Sequence, residues 1–287
     1  MSSTAQPVSL PPALAALRSN KPLLYLLAGG LGGAAGAVLG ESVAIGGKGF
    51  WRMIVEHGQW IATYATVLTA ALFAAGEWHG HQELRPKKFA KVMFLGVVSG
   101  FVAGALAQAA FSVPFGSPLF HNLVVRTLCW CLLGTALGGL LSKPVPNLGF
   151  IRGSLAGCLG GGLGGSGFLL VGSILPDAIG RVVGLGTLGL ALGLAMIVVE
   201  KLFREASLEV IWAPNETTNF NLGAQAVTIG GGEDHVFVRG LPSRFASVAF
   251  SNGVIEYVET ATGKRTPLKD GSRLQIGKLN LVIHAAK

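Results

Sequence analysis

Residues 157–167 read Gly-Cys-Leu-Gly-Gly-Gly-Leu-Gly-Gly-Ser-Gly, and the fold turns on why this stretch is so rich in glycine. Gly162, Gly164 and Gly167 spell G-x-G-x-x-G, the pattern of a dinucleotide-binding turn. Such a turn must follow a strand, open a helix, and be followed by an acidic residue about 20 positions on. Here the glycines sit inside an apolar run of bilayer length. The same pattern recurs at Gly184, Gly186 and Gly189, where a second cofactor has no place. A spacing of four explains more. Gly153, Gly157, Gly161 and Gly165 fall on one helical face, where missing side chains let a neighbouring backbone come close. The glycines read as helix packing, and no cofactor is expected.

Composition agrees. The chain has 287 residues, 43 of them glycine, with 51% hydrophobic and only 13% charged residues. Its mean hydropathy is +0.57. Soluble domains average about 25% charged residues and about 7% Gly. Low charge with high apolar content excludes disorder and points to the lipid bilayer. The net charge is +8, but residues 207–287 carry eight Lys/Arg against seven Asp/Glu, so the excess lies in the apolar part. Basic residues among hydrophobic segments mark loops facing anionic lipid on the cytoplasmic side. No basic stripe with interleaved aromatics suggests nucleic acid.

Six stretches approach the roughly 20 residues that span a bilayer. They run about 22–40, 58–76, 91–113, 122–142, 150–174 and 180–200, with short Pro-containing connections. Residues 1–21 read as a cytoplasmic leader and 22–204 as the transmembrane helical domain. With the first residues inside, Arg18, Lys21, Arg85, Lys87, Lys88, Lys91, Lys143, Arg152, Lys201 and Arg204 all fall on the inner side. Both termini are therefore expected in the cytoplasm, and the protein in the plasma (inner) membrane. The spans also read as three copies of one hairpin. Glycines four apart recur: Gly29 with Gly33 and Gly32 with Gly36 and Gly40 in the first span, Gly96, Gly100 and Gly104 in the third, and Gly153, Gly157, Gly161 and Gly165 in the fifth. Polar residues in the spans are few. Arg126 and Arg181 fall in the first turns of their helices, and Gln108 is a candidate interhelical donor.

Cys129, Cys131 and Cys158 all lie in apolar runs and read as small packed residues. The loop around residue 80 holds Glu77, His79, His81 and Glu83 in alternation, which on an extended strand would line one face. Without a further ligand motif this is a solvated loop, and no metal is expected. No nucleophile–base pair or paired carboxylates in a cleft argue for an enzyme.

From residue 207 the character changes. Short β-rich runs such as "LEVIW", "QAVTIG", "RFASVAF", "VIEYVE" and "KLNLVIH" suggest a small all-β sandwich, with Asn252-Gly253 and Asp270-Gly271 as hairpin signals. The closing stretch "TPLKDGSRLQIGKLNLVIH" (266–284) resembles the end of a forkhead-associated (FHA) domain. "VTIGGG" (227–232) resembles that family's opening strand and turn, and "FASVAFSNG" (245–253) its central strand. The resemblance covers residues 207–287 and implies a cytoplasmic domain that docks a protein partner. The family binds phosphothreonine through an Arg after the first Gly, a Ser with a structural His, and a later Asn. Here Gly231 stands for the Arg, Pro242 for the Ser and Phe245 for the His, and "ETATGKRT" has no Asn. The phosphate donors are stripped, leaving Arg239, Ser243, Arg244, Lys264 and Arg265 as candidate partner-binding residues. The expectation is a membrane-anchored scaffold or adaptor in signalling. The alternative is a channel or transporter gated by its cytoplasmic domain; oligomerisation stays open.

Overall fold

The computed structural model describes residues 10–43, 46, 48–114, 116–143, 145, 147–214, 216–277 and 279–285. It joins a helical bundle to a two-sheet β domain. The helices are α1 (Pro12–Ser19), α2 (Lys21–Gly40), α3 (Phe50–His79), α4 (Pro86–Phe111), α5 (Pro118–Phe120), α6 (Arg126–Leu141), α7 (Phe150–Ile174) and α8 (Asp177–Leu202). A π-helical turn, His121–Val125, makes α5 and α6 one continuous rod. Six segments are long and apolar enough to cross a membrane: α2, α3, α4, the α5–α6 rod, α7 and α8. Prolines sit in the first turns of α1, α2, α4 and α5, where a missing N–H costs nothing.

Within the expected leader, residues 12–19 form α1; residues 1–9 lie outside the described part. Two expected spans need correction. The second span is extended at both ends, to Phe50 and His79. The fourth begins at Pro118, so Arg126 is two turns inside the rod, where its guanidinium lies 5.1 Å over the Phe111 ring.

The six long segments form a closed ring, each packed on its neighbour in chain order and α8 returning to α2. Glycines set the closest seams. Gly29 meets the Gly189 backbone and Gly33 that of Leu185, joining α2 to α8. Gly153 meets Gly138 and Gly157 meets Gly134, joining α7 to α6. A Cβ on Gly100 would lie 2.6 Å from Ala65 Cβ and 2.8 Å from Ala62 Cα, and one on Gly104 2.7 Å from Ile61 Cβ, joining α4 to α3. So the first helix of each hairpin lays its glycines on the second helix of the hairpin before it. Gly161 and Gly165 reach Trp130, Gly96 reaches Thr66, and Gly36 packs instead on Tyr64 of α3. In lipid no hydrophobic drive joins helices, so such close contact carries the packing. The interior between them is a layer of Tyr64, Leu68, Leu137, Leu185 and Leu188, all fully buried.

The β domain contains β1 (Ala206–Ala213), β2 (Glu216–Leu222), β3 (Val227–Gly230), β4 (Val236–Phe237), β5 (Ala246–Ser251), β6 (Val254–Glu259), β7 (Arg265–Leu268), β8 (Arg273–Ile276) and β9 (Leu279–Ala285). One sheet has the order β2-β1-β9-β8, the other β4-β3-β5-β6-β7. Alternating residues of both sheets, among them Leu208, Val210, Val227, Ile229, Val248, Leu281 and Ile283, fill the core between them. Asn252 (φ 53°) and Gly253 (φ 79°) form the two-residue β5–β6 hairpin turn, with Ser251 opposite Val254. Asp270-Gly271 is not a hairpin. It joins β7 and β8, which lie in different sheets, and Asp270 Oδ1 accepts from the Ala285 N–H at 3.1 Å.

Candidate functional site

The site begins where the two parts meet. The α3–α4 connection, the α6–α7 connection and the end of α8 all lie at the sandwich end of the bundle, and the basic residues of those segments gather there. The sandwich rests against them by the β2 edge of one sheet and the β4 edge of the other. Edge strands expose unpaired backbone groups, and covering them removes that liability.

On the β2 side, His81 is the centre. Its ring stacks on Trp212, centroids 4.0 Å apart, and its Nε2–H donates to Glu216 at 2.9 Å. Arg18 of α1 lies 3.4 Å from the same carboxylate and donates through Nε to the Trp78 carbonyl at 2.7 Å. His79 Nδ1 donates to the Arg18 carbonyl, while the Thr218 hydroxyl donates to that of His79. Burial, with the Arg18 guanidinium adding to it, pushes His81 down to about 3. The imidazole is therefore neutral, and Arg18 carries the charge that balances Glu216.

On the β4 side, Gln82 donates to the carbonyls of Asp234 (2.7 Å) and His235 (2.8 Å). Arg85 reaches Glu233 at 2.6 Å and the Gly232 carbonyl at 3.0 Å. His235 accepts the Thr228 N–H on Nδ1 and is held below its ordinary value by burial. Between the two edges Asn147 clamps the β2–β3 turn, donating to Asn221 and Gln225 carbonyls and accepting from Gln225 N–H. Glu77, His79, His81 and Glu83 therefore do not share a face. Glu77 pairs with Lys88, the histidines go to Arg18 and Glu216, and Glu83 is exposed. Among the described residues no group of three or more His, Cys, Asp or Glu is assembled to hold a metal.

The loop after β3 is folded on itself. Buried Asp234 accepts N–H bonds from Gly232 (3.1 Å) and Arg244 (2.9 Å), and Gly231 donates to the Pro242 carbonyl. Gly231 also presses on the Leu241 carbonyl, so no side chain fits there without movement. Arg239, Ser243, Arg244, Lys264 and Arg265 are all exposed. A Thr260 N–H to Phe245 carbonyl bond brings the 260–264 turn beside Arg244, so these residues gather at one end of the five-stranded sheet. Arg265 also lies 3.7 Å from Glu256.

Two cavities lie on the ring axis. The inner one, about 400 Å³, lies under the sandwich between Tyr25, Leu72 and Leu141 on one side and Asn219, Asn221 and Asp234 on the other. The outer one, about 1,110 Å³, opens at the opposite end. The layer around Tyr64 and Leu137 separates them. Gln108 donates within its own helix, to Ser112 at 3.4 Å, and lines the outer cavity instead of joining two helices.

The docked edges leave little mark in the sequence. Asp234 and Asn147 look like ordinary loop residues, and only the triple glycine before Asp234 hints at a tightly wound turn. Comparison with protein-family models, with curated proteins and with solved structures finds no match to this chain.

Proposed function

We propose that the protein is a membrane-anchored adaptor whose FHA-like sandwich presents a basic docking surface in the cytoplasm. The observation that carries this reading is the gathering of Arg239, Arg244, Lys264 and Arg265 at one exposed end of a sandwich held by its other edges. A rigidly held domain pre-organises its docking face, which lowers the ordering cost of binding. The surface suits an acidic protein segment. Phosphothreonine selection is not expected, since it needs fixed charge-assisted donors and Gly231 leaves no room for one. The basic residues at the sandwich end of the bundle argue for its cytoplasmic placement. The test is a pull-down on full-length protein in nanodiscs, compared with a variant carrying Arg239→Glu, Arg244→Glu and Lys264→Glu. A partner set that is salt-sensitive and lost on charge reversal supports the adaptor; recovery of the same set by the variant sinks it.

The two axial cavities favour a second reading, a channel or transporter capped by the sandwich. Against it stands the apolar layer of Leu68, Leu137, Leu185 and Leu188, since a transport path needs polar groups at its centre. Ion or solute flux through reconstituted liposomes, above that of empty vesicles, would decide for it.

A further inference from the structure

The bundle is hollow at the end away from the sandwich, and the reason lies in one seam. Within the first hairpin, Gly32 and Gly36 let α2 approach Leu68 and Tyr64 of α3. Within the third, Gly160 and Gly164 let α7 approach Leu192 and Leu188 of α8. Within the second, the matching positions of α4 are Ser99, Ala103 and Ala107. The glycines of α4 all face α3, and Gly134 and Gly138 of α6 face α7. The α4–α6 seam is thus the within-hairpin contact built without glycine, and the outer cavity is bounded by it, from Ala103 and Ala107 across to Cys129 and Leu133.

The walls and the rim differ in chemistry. Trp60, Ile61, Phe111, Trp130 and Phe168 line the apolar walls. At the rim Arg181 binds Glu41 through two bonds of 2.7 and 2.9 Å, so that pair is neutral. His57 is bonded to the Met53 carbonyl, and Gln108 to Ser112. Arg126 lies over Phe111, and among the described residues no carboxylate pairs with it. The cavity therefore offers apolar walls of lipid-chain character and one uncompensated cation.

We propose that this cavity is a binding site for an anionic phospholipid of the leaflet opposite the sandwich. An acyl chain fills the space between the aromatic walls, and its phosphate pairs with Arg126. A volume of about 1,110 Å³ lies at the top of the range of small-molecule sites, which leaves room for an acyl chain. A guest without an anionic group would leave Arg126 unpaired, a zwitterionic one would set a second cation beside it, and a bare anion would leave the aromatic walls empty. The inference goes beyond the adaptor role and rests only on the six long helices spanning a bilayer.

The full chain is delipidated in mild detergent and offered phosphatidylglycerol, phosphatidylcholine of the same chains, or inorganic phosphate. Retained lipid is read by native mass spectrometry and stabilisation by thermal melting. Phosphatidylglycerol is expected to bind about tenfold more tightly than phosphatidylcholine, whose phosphate is the same but whose choline cation is repelled by Arg126. Arg126→Gln should abolish that preference, Arg126→Lys should keep most of it, and Ala107→Phe should lower retention of both lipids. Equal retention of the two lipids by the wild type overturns the proposal, whatever the variants do. So does an unchanged preference in Arg126→Gln, or stabilisation by inorganic phosphate equal to that by phosphatidylglycerol. Recovery of the wild type in the soluble fraction without detergent would instead overturn the membrane reading itself.

Discussion

The imidazole of His81 lies flat on the indole of Trp212, planes 14° apart, and so fastens the end of the bundle to the sandwich. Burial of the ring in this contact disfavours its charged form. His81 is held near 3, against about 6.5 for an unfolded histidine. Between those values the detached state binds more protons than the docked one, so docking strength rises with pH. Its contribution is complete above about pH 6.5 and is lost as pH falls toward 3. His235, also lowered by burial, acts in the same direction on the β4 edge. Hydrogen exchange of residues 216–222, corrected for intrinsic rate, should therefore be faster at pH 5 than at pH 7.5. His81→Phe keeps the stack and should flatten much of that dependence; an unchanged profile would remove His81 from the account.

The glycines of α7 make a ranking. Gly157 lies against the Gly134 backbone, and a Cβ on Gly164 would sit 2.7 Å from Leu188 Cα. A Cβ on Gly162 would meet only Cys131 Sγ at 2.9 Å, a side-chain atom able to move. Leu at 157 or 164 should sharply reduce detergent-stable protein, whereas Ala at 162 should be tolerated. Gly164 thus belongs with the packed positions, contrary to the grouping of Gly162, Gly164 and Gly167 that the nucleotide pattern suggests. Size-exclusion profiles of the variants in one detergent check the order.

Two acidic residues of neighbouring position should behave very differently. Glu233 is largely exposed, so Glu233→Gln, which removes its ion pair with Arg85, should change the stability of the β domain by less than about 1 kcal/mol. Asp234 is buried and satisfies the N–H groups of Gly232 and Arg244. Asp234→Ala orphans both, at a cost of about 2–3 kcal/mol. Thermal unfolding of the full chain, followed by β-sheet circular dichroism, would compare them; equal effects would mean that the turn relaxes and finds water.

Patterns of period and spacing were legible in the sequence because each reports one element at a time. Apolar runs marked all six long helices, and short β-rich runs marked β1, β3, β4, β5, β6, β8 and β9. β2 leaves little mark because "ETTNFNL" is mostly polar: only Phe220 and Leu222 enter the core, while Glu216, Thr218 and Asn221 bond to Arg18, His79 and Asn147. β7 was missed because Pro267 breaks a strand pattern; it is tolerated on an edge strand, where β7 lies. The cavity could not be read either, since it depends on Ala103 and Ala107 standing where two other hairpins carry glycine. The exposed basic residues were legible one by one. Their common end became apparent only through the Thr260–Phe245 bond.

The same loop predicts how hard it would be to restore a phosphate site. In the FHA resemblance an Arg belongs at position 231, and the simplest engineering step is Gly231→Arg. Gly231 does not occupy a left-handed conformation, so the backbone itself would accept a side chain. Space is the obstacle, because the Leu241 carbonyl occupies the place of a Cβ. Inserting one must push the 238–242 turn outward and strain the Gly231 N–H to Pro242 carbonyl bond, now 3.1 Å. That turn also carries Arg239, so the shift disturbs the proposed docking end. Gly231→Arg should therefore lower the melting temperature of the β domain and leave phosphothreonine-peptide binding as weak as in the wild type. Isothermal titration with a phosphorylated and an unphosphorylated peptide of one sequence would measure it. Micromolar, phosphate-dependent binding by the variant would mean that the turn yields readily and that the missing Arg alone had silenced the site.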